Sequence, residues 1–267
     1  MTDNPKAKRK YYYYYMYALE RVGVLTGRRT LGGHDWYREG AAQLVQRQRG
    51  DGSWGGSVTD TCFGLLFLGK GGAPLAVNKL KWRGDWDNDP HDMANLTKFY
   101  SKVTKTPVGW EVVDIDAPLA DWLRAPMLYF NGHRSPNSKF TDEDVRKLRN
   151  FMDQGGFVFA EACCGRAAFD SGFRALAKRL YPEDELVKLE ADHPIYTMRY
   201  KLTTNPPELW GLNAGCRVSL IYSAHDLSCQ WEMEHWDTTA FRMGVNLISY
   251  ATGDEPLRGK LDKVIIA

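Results

Sequence analysis

The sequence lacks several features that identify a class of protein at once. Its formal net charge is only +2, from 35 Lys and Arg against 33 Asp and Glu, so no excess charge attracts nucleic acid or an anionic membrane surface. No apolar run approaches the roughly 20 residues that cross a bilayer. Residues 1–10 are polar, without the apolar segment of a signal peptide. We therefore predict a disordered tail over 1–10 and a cytoplasmic chain with no membrane span and no nucleic-acid partner.

Cysteine is also scarce. An odd number of cysteines in 267 residues, a length that needs no cross-links for stability, predicts free thiols rather than a disulfide framework. Aromatic residues are abundant instead, with 14 Tyr, 11 Phe and 9 Trp, and hydrophobic residues make up 43%. This composition excludes a disordered polymer and predicts a large core. The five cysteines are Cys62, Cys163, Cys164, Cys216 and Cys229.

Hydrophobic periodicity divides the chain near residue 75. Residues 11–75 are predicted to form three helices separated by glycine. The first covers 11–25, the second begins at the N-cap Asp35 and ends at 50–52, and the third begins at Asp60 and ends at 71–72. The third helix is predicted to turn Cys62, Leu65, Leu66 and Leu68 inward. From residue 76, short β-rich runs alternate with helical ones, which indicates βαβ units and a mostly parallel sheet. The predicted strands are 79–83, 110–115, 126–131, 157–161, 196–202 and 217–222, and the predicted helices are 92–103, 142–154, 167–180 and 238–250.

Two helix starts carry capping signals. Thr141 is followed by three acidic residues, which are favourable at the positive end of the helix dipole, and this helix is predicted to close at Gly155 and Gly156. Asp237 is predicted to be the N-cap of the last helix.

The stretch from Gln48 to Trp54 resembles the Gln-x-x-x-Gly-x-Trp motif of the squalene-cyclase and prenyltransferase α/α-toroid repeats, and residues 60–68 resemble the helix that follows it. In such a repeat the Gln satisfies backbone groups at a neighbouring helix end and the Trp stacks over the turn, so the motif holds repeats together without chemistry. At most one and a half repeats are present over residues 11–75, whereas about three are needed for stability. The resemblance therefore implies a longer parent chain whose further toroid helices are partners. Cyclase activity is not predicted, because Ala117 replaces the last acid of an Asp-x-Asp-Asp motif.

Residues 76–267 resemble the bacterial domain-of-unknown-function family 4159. Five blocks in order carry the resemblance: residues 80–86, 127–133, 155–165, 192–196 and 221–232. The family implies an α/β fold, similar to flavodoxin and to class I glutamine amidotransferases, with three layers around a mostly parallel sheet behind a short all-α segment. It implies no established activity and leaves the cofactor unknown.

Polar residues follow the predicted strands, and ligands bind at the carboxyl ends of strands in open α/β sheets. We therefore predict a pocket there for a small polar ligand or a partner protein. Its candidate ligand-binding residues are Asp85, Asn131, His133, Glu161 and Asp226, and its catalytic candidates are Cys163, Cys164 and His225. The leading hypothesis is a non-catalytic binding or scaffolding module.

The alternative function is a cysteine-dependent hydrolase or amidotransferase. A thiol at a strand-to-helix turn gains reactivity from the helix N-terminus, but neither Cys163 nor Cys164 has small residues on both sides as a nucleophile elbow requires. His235 and Asp237 resemble the catalytic pair of the amidotransferases, with Asp in place of Glu. A metal site using His133, His225, Asp226, Cys163 or Glu161 is a weaker alternative, because no close ligand spacing is present, and no metal ligand is assigned. The acidic run from Asp85 is not an EF-hand, because Pro90 and Leu96 occupy its Gly and Glu positions.

Overall fold

The structure, a computed structural model, describes residue 4 and residues 10–213, 217–253 and 259–261. Most of the predicted tail over 1–10 and the thiol of Cys216 lie outside the described residues. The other four cysteines are free. Among the helices of the described ranges, none combines the length and the apolar character that crossing a bilayer requires.

Three helices and a small hairpin form the N-terminal segment. They are α1 (Tyr12–Thr26), β1 (Thr30–Leu31), β2 (His34–Asp35), α2 (Trp36–Arg47) and α3 (Val58–Gly71). The Asp35 carboxylate accepts from the backbone N–H of Arg38 at 3.0 Å, which confirms the predicted N-cap. Met16, Trp36 and Phe67 are buried between the helices.

The inner face of α3 differs from the prediction. Cys62 is exposed, and Leu65 is 56% exposed. Gly64 lies against the ring of Trp54, so close that a Cβ atom at this position would be only 3.1 Å from a ring atom. Phe67 is buried in the core. The close approach at Gly64 fixes which face of α3 turns inward, and Cys62 and Leu65 lie on the other.

The residues of the toroid-like motif stabilise a turn. The Trp54 indole N–H donates to the carbonyl of Leu44 at 2.8 Å, and the Gln48 amide donates to the carbonyl of Gly52 at 3.0 Å. Gln48 therefore satisfies its own turn, whereas the resemblance implied a neighbouring helix end. The relation to toroid repeats stays a prediction. Several large apolar side chains are exposed on this segment: Tyr11, Tyr14, Val22, Leu25, Val45, Val58 and Leu65.

A seven-stranded mixed sheet is the centre of the rest of the chain. Its order is β4-β3-β5-β6-β9-β8-β7, in which the first five strands are parallel and the last two are antiparallel. The parallel part has the 2-1-3-4-5 order of flavodoxin-like sheets. The strands are β3 (Leu75–Lys81), β4 (Gly109–Asp114), β5 (Met127–Gly132), β6 (Phe157–Ala162), β7 (Val187–Lys188), β8 (Trp210–Asn213) and β9 (Val218–Ser223).

Helices cover both faces of this sheet, which confirms the predicted three-layer α/β fold. Residues of α4, α8 and α9 pack on one face, and residues of α5, α6 and α7 pack on the other. Because both faces are covered, β5, β6 and β9 are buried along their whole length. The helices are α4 (Asp92–Thr104), α5 (Leu119–Trp122), α6 (Asp142–Asp153), α7 (Ala167–Leu180), α8 (Ser228–Glu232) and α9 (Thr239–Thr252).

Of the other two predicted helix starts, at Thr141 and Asp237, the first is confirmed. The Thr141 hydroxyl accepts from the Asp144 N–H, and the Asp144 carboxylate accepts from the Thr141 N–H, which together make a capping box. The predicted N-cap Asp237 is wrong, because α9 begins after Thr238. The Thr238 hydroxyl donates to the carbonyl of His235 at 2.7 Å.

The predicted strand at 196–202 is also wrong. A short 3-10 turn at Pro194–Tyr196 leads into a loop. The amide of Asn246, fully buried in α9, takes the place of a partner strand. Its oxygen accepts from the N–H groups of Arg199 and Tyr200, and its nitrogen donates to the carbonyls of Ile195 and Tyr200, all between 2.8 and 3.0 Å. The short strands β7 and β8 were not predicted.

We expect Asn246→Ala to lower the free energy of unfolding by at least about 3 kcal/mol, because it leaves four backbone groups without a partner. Urea unfolding of the variant measures this loss. Asn150→Ala, at an exposed position of α6, is the matched control and should change stability by no more than about 0.5 kcal/mol. A loss below about 1 kcal/mol for Asn246→Ala would contradict the assigned role of the amide.

Candidate functional site

The order of the strands brings several loops to one edge of the sheet. β3 and β5 are neighbours, but the chain leaves β3 toward β4 on one side and continues from β5 toward β6 on the other. Ligands bind at such a switch point, outside the carboxyl ends of the strands. The segments after β3, β6 and β9 meet at this edge. They contribute Asp89, the pair Cys163 and Cys164, and Asp226 with Cys229, which lies in the first turn of α8.

These five residues form a thiol–carboxylate cluster. The ligand atoms of Cys163, Cys164, Asp226 and Cys229 all lie within 4.8 Å of one another. The two neighbouring sulfurs, of Cys163 and Cys164, are 4.0 Å apart. The thiol of Cys163 lies 3.4 Å from Asp89 Oδ2, and that of Cys229 lies 3.8 Å from Asp89 Oδ1.

A sharp turn after β6 presents both sulfurs to the same space. Cys164 has φ 52° and ψ 24°, in the left-handed region, and Gly165 follows with φ 60°. The turn directs the Cys164 N–H to Asp226 Oδ2 at 2.7 Å, while Asp226 Oδ1 accepts from the Cys229 N–H at 3.0 Å. The Asp226 carboxylate thus joins the loop after β6 to the loop after β9.

Glu161, at the end of β6, binds backbone N–H groups at the start of α8. Its carboxylate accepts from the N–H groups of Leu227 at 2.9 Å and Ser228 at 3.1 Å, and from the Tyr129 hydroxyl at 2.7 Å. Complete burial, reinforced by the nearby charge of Asp226, raises the pKa of Glu161 to about 8, although the hydrogen-bond donors act in the opposite direction. Glu161 therefore positions the loop that carries Asp226 and Cys229.

The surroundings of the thiols favour their protonated form. Burial and the charges of Asp89 and Asp226 raise the pKa of Cys163 far above its ordinary value. Burial and the contact with Asp226 raise the pKa of Cys229 in the same way. A reactive cysteine has the opposite, electropositive environment.

A buried ammonium holds the loop after β3. Lys79 is 1% exposed, and its Nζ donates to the carbonyl of Asp89 at 2.6 Å and to Asp92 Oδ1 at 2.8 Å. Burial raises the pKa of Asp92 to about 6, although the Lys79 charge opposes this. The acidic run is thus arranged around a lysine, in agreement with the rejection of an EF-hand.

The predicted site residues are distributed over several environments. Asp85 pairs with His133. Its Oδ2 accepts from the backbone N–H of His133 at 2.8 Å and lies 3.2 Å from Nδ1 of the His133 ring. Asn131 is buried and donates to Ser228 Oγ at 3.2 Å, and more weakly to Asp89 at 3.4 Å. His225 is exposed, and over the described ranges its ring makes no hydrogen bond to a thiol.

The remaining amidotransferase-like residues, His235 and Asp237, are exposed as well. Sequence reasoning did not identify Asp89 and Cys229 as site residues. The i, i+3 spacing of Asp226 and Cys229 was the available signal, because a carboxylate at this spacing caps a helix start and brings both side chains together.

A sequence model of the domain of unknown function DUF4159 matches residues 75–252, which is more than half of the chain. The chain belongs to the DUF4159 family. The whole thiol–carboxylate cluster lies inside the DUF4159 match, whereas α1 to α3 lie outside it. No curated protein matches the chain.

The fold also has a likeness among solved structures. The crystal structure of a putative GMP synthase subunit from Thermoplasma acidophilum aligns with a TM-score of 0.36 and 10% identity. The alignment covers 66% of this chain and 94% of that one. At this level of similarity, no residue role is transferred to the DUF4159 domain.

Glu161 gives the DUF4159 domain a pH-dependent stability with a definite sign. Folding raises its pKa from 4.5 to about 8, so between these values the folded state binds more protons than the unfolded chain. We expect stability to fall as pH rises from 5 to 8, by at most about 1.4 kcal/mol per pH unit. Glu161→Gln should remove this part of the slope, as measured by urea unfolding of chelator-treated protein at several pH values. Glu143→Gln, at an exposed position, is the control; equal slopes for wild type and Glu161→Gln would refute the assignment.

Proposed function

We propose that this DUF4159 chain is a non-catalytic binding module whose ligand site is the thiol–carboxylate cluster, and that its ligand carries positive charge. The observation that supports this proposal is the convergence of three thiols and two carboxylates at the carboxyl edge of the sheet. Sulfur and carboxylate oxygen are both electron-pair donors. In the part of the chain that the structure describes, no cationic side chain forms an ion pair with the Asp226 carboxylate, which leaves its charge to a ligand.

The same geometry argues against a cysteine nucleophile. Over the described residues, neither Cys163 nor Cys164 has a hydrogen bond to a histidine that could act as a base. The hydrogen-bonding partner of the Cys163 thiol is instead the Asp89 carboxylate, at 3.4 Å. The N–H of Cys164, which would stabilise an oxyanion formed at Cys163, is already bound to Asp226.

Alkylation of the cysteines separates the two functions. Chelator-treated protein is labelled with iodoacetamide over a range of pH, and each cysteine is quantified by peptide mass spectrometry. We expect Cys163 and Cys229 to label at least about 10-fold more slowly than the exposed Cys62 near neutral pH, because both thiols are sheltered and lie beside carboxylates. Denatured protein, in which this difference should disappear, is the control.

Labelling of Cys163 or Cys164 that is faster than labelling of Cys62 at neutral pH would overturn the proposal. It would show a reactive thiolate and would support the cysteine-dependent hydrolase instead.

A further inference from the structure

We infer that the thiol–carboxylate cluster holds a thiophilic divalent cation of the zinc type, bound by Cys163, Cys164, Cys229 and Asp226. This inference rests on the proposed function and names the ligand of the same site. Its basis is geometric: four side chains of the types that bind zinc present their ligand atoms within 4.8 Å of one another.

The separations suit tetrahedral coordination. With zinc–sulfur bonds of about 2.3 Å, two sulfurs at neighbouring corners of a tetrahedron lie about 3.8 Å apart. The sulfurs of Cys163 and Cys164 are 4.0 Å apart. The widest separation in the group, at most 4.8 Å, requires a movement of about 1 Å, which side-chain rotation provides.

The carboxylate ligand is fixed in place without the cation. Both oxygens of Asp226 accept backbone N–H groups, from Cys164 and from Cys229. Beneath it, Glu161 holds the N–H groups of Leu227 and Ser228. Outer hydrogen bonds of this kind orient metal ligands and contribute to affinity.

Asp89 completes the surroundings as a second carboxylate beside the thiols. Its Oδ2 accepts from the Ser228 hydroxyl at 2.8 Å, which holds it in position. Its negative charge disfavours an anion in the same space and favours a cation.

The donor set determines which cation fits. Each thiol that binds releases its proton to solvent, so the metal meets three thiolates and one carboxylate. Sulfur ligands select zinc over magnesium and calcium, which prefer oxygen. Four protein ligands leave no open coordination position for a reacting water. The cation therefore joins the loops after β6 and β9 without supplying a catalytic centre.

Metal content tests the inference directly. The full chain, purified without an affinity tag and stripped with a chelator, is incubated with Zn²⁺, separated from free metal by gel filtration and measured by elemental analysis. We expect one zinc per chain. Co²⁺ in place of Zn²⁺ should produce the strong visible absorption of a tetrahedral thiolate site.

Variants assign the ligands. Cys163→Ser and Cys229→Ser should each lower zinc affinity at least about 100-fold, measured by competition with a coloured chelator. Asp226→Asn tests the carboxylate with little change of shape. Cys62→Ser removes an exposed thiol of α3, outside the cluster, and is the matched control that should retain full affinity. Circular dichroism of each variant verifies that it is folded.

Three outcomes would overturn the inference: a protein that retains no stoichiometric zinc, equal loss of affinity in Cys62→Ser, or an intact mass that reveals a disulfide between cluster cysteines. Slow labelling of Cys163 together with no bound zinc would refute the metal site but would still support the proposed binding module. Fast labelling of Cys163 would refute the proposed function itself. Binding of Mg²⁺ or Ca²⁺ that persists in Cys163→Ser would replace the zinc-type ligand with a hard cation.

Discussion

The buried carboxylate of Glu161 is the constraint on which the edge of the sheet depends. It lies at the end of a central strand, and its oxygens accept the first N–H groups of α8. A buried carboxyl group whose oxygens lack hydrogen-bond donors is costly, so the loop after β9 has one favourable position. That position fixes Asp226 and Cys229 against the turn after β6, where the other two thiols lie. The candidate site is thus assembled by a group that the cluster itself does not include.

The fold could be predicted from the sequence where local pattern and final environment agree. β5 and β6 begin with four apolar residues each, at 127–130 and 157–160, because helices cover both of their faces. The cap at Thr141 consists of residues close in sequence. The prediction was wrong where side chains distant in sequence satisfy the backbone. The loop near Tyr200 has β-forming residues, but its backbone groups are satisfied by Asn246, 46 positions along the chain. No local pattern contains that interaction.

The same distinction applies to the candidate site. Cys163 and Asp226 were predicted as site residues because each follows a strand, and parallel strands end at a common edge. The position of Asp89 depends on Lys79, whose buried ammonium group donates to the Asp89 carbonyl. His225 follows a strand as well, but its side chain turns to solvent. Position along the chain predicts which loops meet, whereas side-chain direction depends on contacts that form only in the folded protein.

The left-handed backbone of Cys164 makes the site a compromise between stability and chemistry. A residue with a Cβ atom in this conformation is less favourable than glycine by about 1 kcal/mol, and Gly165 already occupies the next left-handed position. Glycine at 164 would relieve the turn but would carry no sulfur. The chain thus retains local strain at the one place where relieving it would remove a thiol, so mutational drift toward a more stable turn would erode the site.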